Sequence, residues 1–318
     1  MTNTIEIRSP DMLSTIQDEG RFGWMASGFS PSGAMDLAAA RRANILAGNT
    51  MDMAVLEMTM TGVTARFGCD CVIALTGADM GAALNGHDAP RYRAIAIKAG
   101  DILACGNAKA GLRGYLAVAG GFELEPVMGS CSTSVKFGLG GFEGRKLRAG
   151  DVLPLRCPQM PVPGMDTRTL PIPPWLETGW QGPGHRLRVV LGPQDAKFTP
   201  AGLAIFLQSW YTVTRESDRM GIKLEGAKIE AVAGYDIISD GIAPGSVQVP
   251  ASGQPIVMMA DCQTTGGYAK IATVISADLP LLAQAKPGER LRFAAVDVKE
   301  AQRIARREAG ELRRLERM

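Results

Sequence analysis

Polar and glycine residues concentrate in a stretch near the start of the chain, "STIQDEGRFGWMASGFSPSGAMD" at residues 14–36. This stretch has neither the alternation of a strand nor the repeat of a helix, so we expect a loop. Ser32 and Gly33 come shortly before a helical segment that Asp36 is placed to cap. A helix N-terminus presents free N–H groups and a positive dipole end, so the loop favours an anionic ligand.

Four side chains of this loop are candidates for work on a substrate. Arg21 could clamp a carboxylate or phosphate with two parallel hydrogen bonds. Asp18 and Gln17 could orient a water or hold a substrate amide, and Asp36 is a second candidate for the orienting role. The alternative is a long loop braced by its own salt bridges, and the residue types alone leave both interpretations open.

The second half of the chain offers a comparable set. Arg219, in "ESDRMG", could form a second anion clamp, and Gln248 lies in the strand pattern "GSVQVP". Gln263 and Thr264 open the turn "QTTGGYAK", which follows an apolar strand and is suited to bring backbone N–H groups against a ligand. A tight turn with one structural hydrogen bond is an equally economical interpretation.

Composition excludes several classes of protein. Of the 318 residues, 46% are hydrophobic and 21% charged, which is normal for a globular protein with a sizeable core. The net charge of +2 gives no indication of nucleic-acid binding. No apolar run is long enough for a membrane span, and the start lacks the apolar core of a signal peptide, so we expect a cytoplasmic protein.

Several familiar catalytic motifs are missing from the sequence. It has no Walker-type phosphate loop, no G-x-S-x-G elbow and no Met-Lys-Met, so we expect no biotin on this chain. His87 falls at a predicted hairpin tip and His185 in a predicted linker, which disfavours histidine catalysis. The six cysteines are scattered and are predicted to be buried, reduced thiols rather than metal ligands. They are Cys69, Cys71, Cys105, Cys131, Cys157 and Cys262.

The pattern along the chain predicts a mostly β protein with few helices. Short apolar segments bounded by Gly, Asn or Asp are typical of antiparallel strands, and helices are predicted near 36–49, 200–210 and 297–316. Residues 158–185 are rich in Pro and Gly and are predicted to be a linker. We therefore expect an N-terminal β-barrel domain over 1–157, a C-terminal one over 186–296, and a final helix over 297–318.

A faint internal similarity crosses the predicted linker. "EGRFG" at 19–23 resembles "SDRMG" at 217–221, which aligns Arg21 with Arg219. Gene duplication and chance similarity between glycine-rich loops both explain it.

Taken together, the ordered motifs are specific. The chain resembles the family known as biotin-dependent carboxyltransferase-like, or allophanate hydrolase subunit 2-like, over about residues 5 to 295. One departure is Asp11, where we expect a turn glycine. The motifs that carry the resemblance are "TIQDEGRFG", "SGAMD", "LTGADM", "LAVAGGFELEPVMGSCST", "SDRMGIKLEG", "DGIAPGSVQVPASGQPIV" and "DCQTTGGYAKIATV".

The resemblance implies β-barrel domains of cyclophilin-like type. It further implies the role of the C subunit in ATP-dependent 5-oxoprolinase, which converts 5-oxo-L-proline to L-glutamate together with the A and B subunits. ATP with magnesium would then be the cofactor, shared with the partner. Other family members transfer a carboxyl group from carboxybiotin to urea, and one binds a kinase inhibitor without catalysis, so both remain alternatives.

Overall fold

The computed structural model describes residues 3–9, 12–156, 167–177 and 184–317. The chain divides into two compact units. The first consists of Met1–Phe22, Ser32–Gly179 and Arg314–Met318, and the second of Gly23–Pro31 and Trp180–Arg313. Each unit is therefore discontinuous in sequence, whereas the composition predicts continuous domains.

In the first unit, short strands are joined by turns, and a single longer helix follows the opening loop. The elements are β1 (Thr4–Ser9), β2 (Leu13–Gln17), α1 (Leu37–Ala47), β3 (Val55–Thr59), β4 (Thr64–Phe67), β5 (Cys71–Asp79), β6 (Ala83–Leu84), β7 (His87–Asp88), β8 (Ala94–Ile97), β9 (Ile102–Ala104), β10 (Ala110–Val118), β11 (Val152–Pro154) and α2 (Pro174–Glu177).

These strands form two antiparallel sheets, in the orders β11-β1-β4-β9-β6-β7 and β2-β3-β10-β5-β8. The apolar side chains that alternate along the strands meet between the sheets, where Ile5, Phe67 and Leu116 are fully buried. Alanines of α1 cover the outer face of the second sheet, because small side chains let the helix approach closely. The strands of the first unit thus form a layered arrangement of two sheets.

In the second unit, the elements are β12 (His185–Leu191), α3 (Pro200–Gln208), β13 (Tyr211–Val213), β14 (Gly221–Glu225), β15 (Asp236–Gly241), β16 (Ser246–Gln248), β17 (Ile256–Met258), β18 (Thr265–Tyr268), β19 (Lys270–Val274), α4 (Leu279–Gln284), β20 (Arg290–Ala295) and α5 (Val298–Glu316), whose last residues belong to the first unit.

Seven of these strands close into a barrel in the order β12-β19-β16-β17-β14-β13-β20. Neighbouring strands of the barrel are antiparallel except β12 and β20, which are parallel. Phe206 of α3 stacks on Phe293 inside the barrel core at 4.5 Å between ring centroids. β15 and β18 form a separate two-stranded ribbon, and this ribbon carries part of the site described below.

The mostly β class is confirmed, and the three longer helices lie where the sequence predicts them. Closure into a barrel is observed in the second unit, whereas the described strands of the first form two sheets. The cyclophilin-like type stays a prediction. Among the described residues, no helix combines the length and the apolar composition needed to cross a membrane.

The predicted linker is only partly described, since residues 158–166 and 178–183 lie outside the described ranges, as do Asp11 and Cys157. Residues 167–177 are packed rather than extended, because Leu170 and Leu176 are buried against the α1 side of the second sheet. His185 begins β12, so its assignment to the linker is wrong. The five described cysteines are free thiols, four of them buried and Cys131 half-buried.

Candidate functional site

The opening loop leaves β2 at Gln17 and is fixed by one carboxylate. Both oxygens of Asp18 are engaged: Oδ1 accepts from the backbone N–H of Gly20 at 2.8 Å and from the hydroxyls of Ser130 and Ser132, and Oδ2 accepts from the N–H of Cys131 at 2.6 Å. Four donors leave this carboxylate little capacity to bind water or substrate. Asp18 therefore ties the loop to residues 130–132.

Arg21 completes the same attachment. Its side chain is buried, with 1% of its surface exposed, and Nε donates to the carbonyl of Val127 at 2.9 Å. Nη2 donates to the carbonyls of Ser132 at 2.9 Å and Ser130 at 3.4 Å. Gly140 leaves room for the guanidinium, because a Cβ there would lie 2.6 Å from Nη2. Nε and Nη2 of Arg21 thus bind backbone carbonyls, and the role of Arg21 as an anion clamp stays a prediction.

Gln17 is likewise engaged within the loop. Its amide nitrogen donates to the Thr15 hydroxyl at 2.9 Å and to the Thr133 carbonyl at 3.1 Å. Its Oε1 accepts from the N–H of Gly33 at 3.2 Å. Gly33 has a φ of +93°, and a Cβ there would lie 3.0 Å from the carbonyl oxygen of Glu19. Together with Asp18, Arg21, Ser130 and Ser132, Gln17 forms what we call the loop cluster.

Asp36 acts as the predicted N-cap, because its Oδ1 accepts from the N–H of Ala39 at 2.9 Å. Behind it lies a buried network that no sequence motif indicates. The N–H of Asp36 donates to the Tyr115 hydroxyl at 2.7 Å. The Tyr115 hydroxyl in turn donates to Oε2 of Glu57 at 2.9 Å. Oε2 of Glu57 also accepts from the N–H of Met35. Burial and the charges of Glu57 and Asp36 raise the pKa of Tyr115 well above its usual value, so the hydroxyl stays protonated.

Ser32 is the exception in this loop. Its side chain is buried, its φ is +56°, and its Oγ has no hydrogen-bond partner among the residues that the structure describes. Of the side chains predicted in the opening loop, it alone retains a buried polar atom without a recorded partner. The loop as a whole is braced by hydrogen bonds to 127–133 and by a salt bridge between Glu19 and Arg41, whose Nη2 lies 2.6 Å from Oε1.

In the second unit, Arg219 faces a carboxylate of its own chain. Its Nε lies 2.7 Å from Oδ2 of Asp261 and its Nη2 3.3 Å from Oδ1. Ser30 adds to this corner, because its hydroxyl donates to the carbonyl of Cys262 at 2.7 Å. Arg219 thus does bind a carboxylate, but one supplied internally, so its role as a clamp for a ligand stays a prediction.

Two glutamine amides converge on one glycine of β18. A Cβ built on Gly266 would lie 2.8 Å from Nε2 of Gln248 and 3.5 Å from Nε2 of Gln263. Gln248 makes one long hydrogen bond, at 3.4 Å, to the carbonyl of Tyr268. In the described part of the chain, the Gln263 side chain has no hydrogen bond, and it is half-buried. The absence of a side chain at residue 266 is what lets both amides approach the ribbon.

Lys270 lies beside these amides, because β16 and β19 pair Gln248 directly with Lys270. The lysine is 4% exposed, and its Nζ donates to Oδ2 of Asp240 at 2.6 Å and to the carbonyl of Gly241 at 2.9 Å. The Gln194 side chain accepts from the backbone N–H of Lys270 at 3.1 Å. The hydrogen bond from Lys270 holds the pKa of Asp240 below its usual value, so this carboxylate is ionised at neutral pH.

We call these residues the amide–lysine cluster: Gln194, Asp240, Gln248, Gln263, Gly266 and Lys270. Thr264 lies next to it, with its carbonyl accepting from the N–H of Ile242 at 2.9 Å and its side chain half-buried. Lys270 was missed in the sequence because a lysine after a turn resembles any surface lysine. Its available signal was its place at the end of "QTTGGYAK", one strand from Gln248.

The predicted residues therefore separate into two sets, one in each unit. Gln17, Asp18, Arg21, Ser32, Gly33 and Asp36 lie in the first unit. In the second, Gln263 belongs to the amide–lysine cluster, Thr264 follows it in sequence, and Arg219 pairs with Asp261. The second set offers amide donors and acceptors and an ammonium, which suits a small ligand with an amide and an anionic oxygen. Within the described ranges, no group of three or more His, Cys, Asp and Glu side chains is arranged to hold a metal ion.

Comparison with known proteins places the chain in a family. The chain is 39% identical to the C subunit of 5-oxoprolinase from Escherichia coli (strain K12) over 300 residues, covering 93% of both proteins. The crystal structure of Kluyveromyces lactis urea carboxylase matches with a TM-score of 0.88 and 27% identity, over 99% of this chain but 29% of that one.

A second solved structure, that of TTHA0988, matches with a TM-score of 0.82 and 34% identity over 92% of this chain. The chain spans 55% of that protein, so it corresponds to a part of both solved chains. The family model described as "Carboxyltransferase domain, subdomain A and B" matches residues 27–295. The chain therefore belongs to the carboxyltransferase domain family, subdomains A and B.

Proposed function

We propose that this chain is the C subunit of an ATP-dependent 5-oxoprolinase, which hydrolyses 5-oxo-L-proline to L-glutamate. The observation that carries the proposal is the correspondence with the C subunit of a 5-oxoprolinase over 93% of both chains. The urea carboxylase match is 27% identical and covers 29% of that protein's chain. The higher identity, 39% against 27%, favours the role of the 5-oxoprolinase relative.

The chemistry of the amide–lysine cluster fits this substrate. 5-Oxoproline carries a lactam amide and a carboxylate, and the cluster offers glutamine amides beside a lysine ammonium. A five-membered lactam is a poor electrophile, so its hydrolysis is coupled to ATP. We assign the residues of the cluster to binding and orienting the substrate. We assign them no part in the transfer of phosphate.

ATP and its magnesium are assigned to a partner subunit, or shared with it. Among the described residues, no group of three or more His, Cys, Asp and Glu side chains is arranged to hold a metal ion, and Asp18 already accepts from four donors. We propose that the A and B subunits complete the enzyme and that the complex works in the cytoplasm.

The test is ATP-dependent release of glutamate from 5-oxo-L-proline by this chain with its A and B subunits, each left out in turn. We expect turnover only in the complete mixture. A complete mixture of folded, associated subunits that releases no glutamate would contradict the proposal. Full turnover without this chain would contradict it equally.

A second candidate is carboxyl transfer to urea. It is favoured by the structural match to urea carboxylase over 99% of this chain. This reaction would need a separate biotin-carrying partner chain. Carboxylation of urea by this chain with such a partner, in the absence of glutamate release, would select it. Tight binding of a partner without turnover of either substrate would instead favour the regulatory alternative.

A further inference from the structure

Lys270 is a buried cation with unused bonding capacity. An ammonium has three N–H donors, and among the described residues Nζ has two acceptors, Oδ2 of Asp240 and the carbonyl of Gly241. The lysine side chain is 6% exposed, whereas that of its partner Asp240 is 55% exposed. A buried charge is stable only when it is well paired, and here the pairing leaves one donor and depends on a solvent-facing carboxylate.

The neighbouring amides also have unused capacity. Oε1 of Gln248 has no partner within the described residues, and neither does any polar atom of the Gln263 side chain. Both Nε2 atoms lie against Gly266, at 2.8 Å and 3.5 Å from the position of an added Cβ. Gln263 and Gly266 are half-buried, whereas Gln248 and Lys270 are buried, so Gln263 and Gly266 form the solvent side of the cluster.

We propose that Lys270, Gln248 and Gln263 form the subsite that recognises a small lactam acid. The ammonium of Lys270 donates to the ligand carboxylate, and a glutamine amide pairs with the lactam N–H and C=O. This inference rests on the proposed function and deepens it, because it names the residues that distinguish the substrate.

The chemistry of the ligand matches the groups present. The lactam amide is cis, so its N–H and C=O point the same way and a primary amide can meet both with two hydrogen bonds. The carboxylate needs a cation, and Lys270 is the cation that the amide–lysine cluster contains. Asp240 competes for the same ammonium and repels the ligand carboxylate, so it weakens binding in the unliganded arrangement.

The experiment is calorimetric titration of the assembled subunits, without ATP, with 5-oxo-L-proline and with two partial ligands. 2-Pyrrolidinone keeps the lactam and lacks the carboxylate, and L-proline keeps the carboxylate and lacks the lactam. Variants are Lys270→Met, Asp240→Asn and Gln263→Ala. The matched control is Lys223→Met, which removes a half-exposed lysine of the same barrel that is paired with Glu216.

We expect Lys270→Met to raise the dissociation constant of 5-oxo-L-proline by about tenfold or more, as for the loss of a hydrogen bond to a charged group. The dissociation constant of 2-pyrrolidinone should change by less than about twofold. Gln263→Ala should raise the dissociation constants of both lactams by about fivefold and leave that of L-proline unchanged. Asp240→Asn should lower the dissociation constant of 5-oxo-L-proline by about threefold or more, because it removes the competing charge. Lys223→Met should leave all three dissociation constants unchanged.

Asp240→Asn keeps the inference falsifiable if Lys270→Met fails to fold, since Asp240 is largely exposed. Unchanged affinity in that variant would overturn the proposal, because a purely structural ion pair predicts it. Equal losses of affinity for all three ligands in Lys270→Met would also overturn it.

Binding that depends on Lys270 without turnover would leave the subsite standing and refute the proposed function. Turnover and substrate affinity unaffected by Lys270→Met would refute the subsite alone.

Discussion

The loop cluster of the first unit and the amide–lysine cluster of the second contain similar residue types in different states of hydrogen bonding. Asp18 has four donors, and the Arg21 guanidinium binds three backbone carbonyls. Lys270 has two acceptors, and the Gln263 side chain has no partner among the described residues. The first cluster is satisfied by the protein, and the second has donors and acceptors left for a ligand.

This contrast shows that residue type alone does not identify a site. A buried arginine beside a glycine-rich loop has the composition of an anion-binding site, yet here its donors bind carbonyls of residues 127–132. A buried group without sufficient partners is costly unless a ligand or water completes it. Unused bonding capacity in a half-buried cluster is therefore the better indicator of binding.

The largest expected effect is that of Arg21→Ala. It leaves the carbonyls of two buried residues, Ser130 and Ser132, and of half-buried Val127 without their charged donor. We therefore expect the free energy of unfolding to fall by about 3–5 kcal/mol. Urea denaturation of the full chain measures it. The control is Arg8→Ala, which removes an exposed arginine 3.4 Å from Glu6 and should cost less than about 1 kcal/mol. Equal effects of the two variants would show that Arg21 is not a brace.

Asp18→Asn tests the brace with nearly no change in shape. An asparagine places an NH₂ group against at least one of the four donors, so we expect a loss of about 2–3 kcal/mol in the free energy of unfolding. Asp52→Asn, at an exposed position, is the control and should have little effect. Stability close to that of the unmodified chain would mean that the four hydrogen bonds contribute little.

Tyr115→Phe isolates the network behind α1. Removal of the hydroxyl leaves the N–H of Asp36 without this partner and takes one donor from Glu57, so we expect a loss of about 1–2 kcal/mol. Thermal unfolding measures it, and Tyr268→Phe, at a 41% exposed tyrosine, is the control. A loss no greater than that of the control would show that the hydroxyl only fills space.

The smallest effect concerns an ion pair of the first unit, Arg145 with Asp151. Hydrogen bonds from Arg145 hold the pKa of Asp151 below its usual value of about 3.9. The stabilisation is therefore fully present above pH ~4 to 5 and is lost as the pH falls through the lower pKa of the folded state. We expect Asp151→Asn to cost about 1 kcal/mol at pH 7 and progressively less as the pH falls below about 4, as measured by urea denaturation at each pH. A cost that is independent of pH would contradict this pairing.

The sequence predicts the elements better than their assembly. Short apolar segments bounded by turn residues locate β5, β10 and β19, and Asp36 with Gly48 bounds α1, because these signals are local. Closure of the barrel depends on the pairing of β12 with β20, about a hundred residues apart, and no local pattern encodes it. For the same reason, the membership of residues 23–31 in the second unit was not predicted.

The site was predictable in its motifs but not in its roles. The loop around Arg21 was located correctly, yet its partners at residues 127–132 lie more than a hundred positions away, so the brace could not be distinguished from an anion clamp. Gln263 and Thr264 were singled out from a segment predicted to be a turn, of which Thr265–Tyr268 form β18. Lys270 becomes visible only when the β16–β19 register places it beside Gln248.

The contrast between the clusters is tested most directly by titrating Asp18→Asn and Lys270→Met with 5-oxo-L-proline, in complexes shown to be folded. If the loop cluster is a brace and the amide–lysine cluster binds substrate, Asp18→Asn will keep the unmodified dissociation constant despite its lower stability. Lys270→Met will then weaken binding by about tenfold or more. A dissociation constant that rises in Asp18→Asn and stays unchanged in Lys270→Met would contradict both assignments.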